Sequence, residues 1–105
     1  MADDQRARLR QMLLRLRERT KKYRQHLAAL DVEIDQNVKI AKFFSNSARA
    51  KYVSPDLKMT QRTVARRFER SAAVAKRDKG RVQQQIQRHL DLCKQVTGIL
   101  AVMKT

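Results

Sequence analysis

A chain of 105 residues with 25 Lys and Arg against 10 Asp and Glu carries a net charge of +15, and it can be at most one small domain. Ten Leu, 4 Ile, 8 Val and 3 Phe put 25 strongly apolar residues in it, above the roughly 20% below which highly charged chains stay disordered. Two Gly, one Pro, two Tyr and three Phe are too few for the turns and faces of an all-β or doubly wound domain, so an all-α fold is expected.

The first helix is expected over about residues 4–50. Asp3 and Asp4 suit its start, where carboxylates meet the positive end of the macrodipole. Leu9, Leu13, Leu16, Thr20, Tyr23, Leu27, Leu30, Ile34, Asn37, Ala41, Phe44 and Ala48 recur at steps of four and three without interruption. Such a heptad seam keeps one stripe against a partner helix. A helix of ~45 residues is about 65 Å long, too long to bury that stripe against a small globule.

The connection is expected within residues 45–54. Ser45-Asn46-Ser47 offers an early stop, whereas Ala48 and Tyr52 would carry the helix further. Ser54-Pro55-Asp56 reads as a helix start, with Ser54 as cap and Pro55 in the first helical position.

The second helix is expected over about 55–103. Its seam opens on Leu57, Val64 and Phe68, crosses Ala72, Ala73 and Ala75, and resumes at Val82, Ile86, His89, Cys93, Val96, Leu100 and Met103. Residues 76–81 hold no large apolar side chain, and Gly80 costs about 1 kcal/mol relative to Ala inside a helix. A kink or short break would fall there. The whole is an antiparallel hairpin or coiled coil of two long helices, one domain over residues 1–105.

Charge falls in two blocks. Residues 5–24 hold Arg6, Arg8, Arg10, Arg15, Arg17, Arg19, Lys21, Lys22 and Arg24 against Glu18 alone. Residues 58–81 include the ladder Lys58, Arg62, Arg66 and Arg70 at four-residue steps, followed by Arg77 and Arg81. Like charges four apart destabilise a helix by about 0.2–0.5 kcal/mol per pair. A self-repelling surface of this kind is expected to meet an acidic protein surface or a nucleic-acid backbone. The basic partner-binding surface is therefore assigned to Arg6, Arg10, Arg15, Arg17, Arg19, Lys22, Lys58, Arg62, Arg66, Arg70, Arg77 and Arg81.

Specific chemistry is thin. A zinc finger lacks its Cys and His set, and one Cys with two distant His is no metal site. A basic leucine zipper would drop its apolar stripe inside the basic stretch, whereas Leu9, Leu13 and Leu16 run straight through it. His26 and His89 sit on different helices with no carboxylate pair or Gly-rich loop beside them, so no catalytic residue, cofactor or metal is expected. Asp31, Glu33 and Asp35 fan around the helix and are expected to pair locally, for example Asp35 with Lys39, or to contact the basic surface of a neighbouring chain. Phe43 and Phe44 cannot both face one partner helix, and Met12, Leu14, Ile40, Val74 and Val102 lie off the seam. This apolar surplus points to other helical chains, by self-association or in a mixed complex; an anionic membrane surface is the weaker expectation. A single Cys excludes an internal disulfide, and no secretory signal or apolar run of ~18 residues is present. The expected setting is intracellular, cytoplasmic or cytoskeletal ahead of nuclear or organellar. The expected function is a non-enzymatic structural subunit that packs with helices and docks an acidic protein surface such as a cytoskeletal filament. The alternative is a packing protein that binds RNA or DNA backbone without reading sequence.

Overall fold

The computed structural model describes residues 2–103. Among the described residues there are two helices and no strand: α1 (Ala2–Ala48) and α2 (Pro55–Met103) pack against each other as an all-α hairpin. Contacts divide the chain into two units, one joining residues up to Leu27 with those from Arg81 onward, the other spanning Ala28–Gly80.

The connection occupies residues 49–54. α1 passes through Ser45-Asn46-Ser47 and ends at Ala48, where the Arg49 and Ala50 amides donate to the carbonyls of Asn46 (3.1 Å) and Ser47 (3.2 Å). These three-residue closures tighten the last turn and satisfy carbonyls that the helix leaves open. No described residue here needs a positive φ. α2 starts on Ser54, whose Oγ accepts from the Leu57 amide (3.3 Å) and whose carbonyl accepts from Lys58 N–H (2.9 Å). Pro55 follows in the first helical position and Asp56 in the first turn.

In the terminal unit the seam is built of large side chains. Leu16, Thr20, Val82 and Val96 are buried, while Leu9, Leu13, Tyr23, Leu27, Ile86, His89, Cys93, Leu100 and Met103 are half-buried. Thr20, the one buried polar residue described, donates its hydroxyl to the Leu16 carbonyl at 2.8 Å, so it brings no unmet donor into the seam. Tyr23 meets His89 edge to face at 5.2 Å between ring centroids.

The turn-side unit packs small. Ala41, Ala48, Ala65, Ala72 and Ala75 are each at most 4% exposed, and Leu30 is buried with them. Phe44 lies parallel to Phe68 at 6.5 Å and Phe43 sits edge-on to Phe44 while remaining 65% exposed. The two phenylalanines thus divide, one to the seam and one to solvent.

The seam of α2 differs from the expected one in its first half. Leu57 is 49% exposed and Ala73 is exposed. The inward positions are instead Lys58, Gln61, Ala65, Phe68, Ala72, Ala75 and Lys79, and they join Val82 at unbroken steps of three and four. Val64 is half-buried beside this row. Counting apolar residues alone passes over a heptad whose members include two lysines and a glutamine.

No break occurs near Gly80, and α2 runs through it without interruption. The seam continues there on Lys79, whose Nζ reaches Asp31 of α1 at 2.6 Å, and ordinary helical φ makes no demand for glycine. A Cβ at Gly80 would meet no atom within 4 Å. Gly80→Ala is accordingly expected to stabilise the chain by about 1 kcal/mol. Thermal unfolding followed by circular dichroism should show a midpoint raised by about 4–8 °C; an unchanged or lowered midpoint would contradict an unstrained helix at this position.

Candidate functional site

Exposed arginines cluster between Arg8 and Arg24 on α1 and between Arg62 and Arg88 on α2, and the chemistry of these stretches follows from what those arginines fail to meet. Among the described residues the ion pairs are Lys39–Asp35 (2.9 Å) and Lys79–Asp31 (2.6 Å), both made by lysines. Among the described residues no arginine reaches a carboxylate. Asp31 and Asp35, two members of the acidic cluster, are therefore spent on lysines, and Asp91 accepts a hydrogen bond from Gln87 at 2.9 Å. Among the described residues the arginine charge of the outer faces therefore stands without an ion-paired carboxylate.

Ten of the residues assigned to the basic surface are exposed: Arg10, Arg15, Arg17, Arg19, Lys22, Arg62, Arg66, Arg70, Arg77 and Arg81. Two are not. Lys58 is half-buried as a seam position in the first turn of α2. Arg6 is also half-buried, and its guanidinium donates to the Met103 carbonyl at 2.5 Å. The reason lies in spacing, since Arg6 precedes Leu9 and Leu13 by three and seven residues and extends the seam by one step. Its cation sits at the C-terminal end of α2, whose last turn has no basic residue of its own. The Arg6 Nε is buried without a hydrogen-bond partner. Arg6 is thus a clamp between helix ends rather than part of an outward face.

In the terminal unit Arg8, Arg15 and Arg19 line one surface groove with Gln11, Met12 and Leu16. Met12 is 50% exposed there, and Leu14 is exposed nearby on α1. In the turn-side unit Lys58, Arg62 and Arg66 line another with Pro55, Met59 and Thr63, and Met59 is 71% exposed. The hydroxyls of this face are occupied: Thr60, Thr63 and Ser71 donate to the carbonyls four residues back, at 2.9–3.1 Å. What this groove presents beside those hydroxyls is the Arg62 and Arg66 guanidinia, the Lys58 side chain and the exposed Met59.

No family model, curated protein or solved structure matches this chain.

The histidines do not assemble into a site. His26 is exposed, whereas His89 lies against Tyr23 and its Nδ1 is 2.8 Å from the Gln85 carbonyl. A carbonyl can only accept, so Nδ1 carries the proton. Cys93 is half-buried on the seam, with its carbonyl taken by the Thr97 hydroxyl at 2.7 Å. Among the described residues no three His, Cys, Asp or Glu side chains gather as a metal set, and no helix is long and apolar enough to cross a membrane.

Proposed function

We propose that this chain is a non-enzymatic assembly subunit, a helical hairpin that packs with other helices in a larger intracellular complex and docks an acidic protein surface such as a cytoskeletal filament. The observation that carries this reading is the interleaving, in each unit, of arginines that meet no carboxylate with exposed large apolar side chains: Arg8, Arg15 and Arg19 around Met12, and Arg62 and Arg66 around Met59. A phosphate backbone asks only for cations and donors. Apolar side chains set among the cations gain nothing from phosphates and are satisfied by the mixed chemistry of a protein surface.

Binding to nucleic-acid backbone is the second reading, and the exposed run Arg66, Arg67, Arg70 and Arg77 on α2 favours it. Co-sedimentation with polymerised microtubules or actin, run beside titration of a duplex DNA, separates the two. The chain is expected to pellet with an acidic filament, and Arg62→Glu, Arg66→Glu and Arg70→Glu together to weaken this about tenfold or more without loss of helicity. Unimpaired pelleting of the folded triple variant would remove the ladder from the docking surface. Tighter binding to DNA, falling by about one log unit of affinity per log unit of salt for each phosphate contacted, would establish the second reading instead.

A further inference from the structure

We infer that one flank of the terminal unit, marked by Met12, Leu92 and Ile99, is the docking groove for a third helix: an acidic amphipathic helix supplied by a different protein. This rests on the assembly role proposed above and names the shape and chemistry of one partner.

Met12 immediately precedes the seam residue Leu13, Leu92 precedes Cys93, and Ile99 precedes Leu100. In an antiparallel pair of heptad helices, positions one ahead of equivalent seam residues line the same side of the seam. These three side chains are 50%, 44% and 50% exposed. Half-exposure beside a seam is the state of a residue that contacts one neighbouring helix and has room for another. On α1 the groove around Met12 is walled by Arg8, Arg15 and Arg19. On α2 the surface beside Ile99 is shaped by Gln95 and Gly98, and a Cβ at Gly98 would meet nothing within 4 Å, which leaves space for a close backbone.

Charge selects the occupant. No carboxylate lines either groove. A second copy of this chain would bring the same three arginines and a further +15 to the contact, so self-docking is opposed. A nucleic-acid backbone would pair the arginines and leave Met12, Leu92 and Ile99 in water. An acidic amphipathic helix answers both features, with apolar anchors at three- and four-residue steps over the strip and Glu or Asp along the edge that faces α1. Arg8 to Arg19 spans about 16 Å of helix, or about three turns of such a partner.

The test uses the full chain and a labelled synthetic 21-residue helix with Leu at heptad seam positions, Glu on both edges and Ala elsewhere, followed by fluorescence anisotropy at ~150 mM salt so that unpatterned charge attraction is screened. The patterned peptide is expected to bind at least about tenfold more tightly than a scramble of the same composition. Met12→Ser with Ile99→Ser should weaken it about tenfold, while Leu14→Ser, off the flank, should change nothing. Arg15→Glu with Arg19→Glu should lose the Glu peptide and gain one in which Lys replaces Glu. Equal binding of the scramble, indifference to the Met12 and Ile99 changes, or preference for duplex DNA or phosphatidylserine vesicles over the peptide would each overturn the inference. If the peptide fails while filament binding through Arg62, Arg66 and Arg70 persists, only the third-helix groove falls. If both fail, the docking role falls with it.

Discussion

Replacing Leu27, Leu30 and Ile34 together with Ser is expected to abolish most of the helical circular dichroism signal at 25 °C. Leu30 is 5% exposed and the other two are half-buried. Loss of a buried Leu or Ile side chain destabilises by about 2–5 kcal/mol, and a seam hydroxyl adds desolvation to the lost packing. Three such changes, even discounted for partial exposure, remove about 6 kcal/mol or more, against about 5–15 kcal/mol of stability for a whole domain. The helices cannot survive the loss separately, because helical stability in water comes mostly from packing of an apolar face. The control is the triple change of exposed Leu14, Val32 and Val74 to Ser, which should move stability by no more than about 0.5 kcal/mol per site. A retained spectrum in the seam variant would mean that α1 does not depend on its packing against α2.

A second large effect is expected from enlarging the small seam of the turn-side unit. Ala72 and Ala75 are 4% and 2% exposed, whereas Ala73 between them faces solvent. Ala72→Leu with Ala75→Leu inserts six extra carbons where the facing helix leaves no room, and overpacking costs about 1–3 kcal/mol at each site. The unfolding midpoint in urea should fall accordingly, while Ala73→Leu should leave it within about 0.5 kcal/mol. Three alanines that look alike in sequence are thus expected to respond in two ways. Equal tolerance at all three would show that the alanine seam is not closely packed.

The contrast between the two helices explains what could be read from residue order alone. α1 is legible because all twelve of its seam positions fall at heptad steps and all but Thr20 and Asn37 are apolar or aromatic. All twelve are buried or half-buried. The first half of α2 is less legible because its inward row includes Lys58, Gln61 and Lys79. The aliphatic stems of the two lysines can pack while their ammonium ends reach water or a partner such as Asp31, whereas Gln61 holds its Oε1 buried without a hydrogen-bond partner. A search for apolar residues lands instead on Leu57, which has the right chemistry at the wrong phase. Extending the phase of Val82 and Ile86 backwards by sevens would have found Ala75, Phe68 and Gln61 on one row, and Lys79, Ala72, Ala65 and Lys58 on the other. The same arithmetic run backwards from Leu13 to Arg6 separates the clamp from the outward arginines. Outward arginines need no such care, since exposure is the default for that side chain. What residue order could not convey is which acids are already engaged, because the Lys79–Asp31 pair joins residues that only the fold brings together.

The Arg6 contact makes the extremities of the two helices interdependent. The final turn of α2 borrows its counter-charge from the opening turns of α1, so fraying of either end strips the other of a favourable electrostatic neighbour. Loosening at the mouth of the terminal unit is therefore a joint event of both strands of helix, and amide protons near Met103 and near Arg6 should lose protection from exchange together rather than independently.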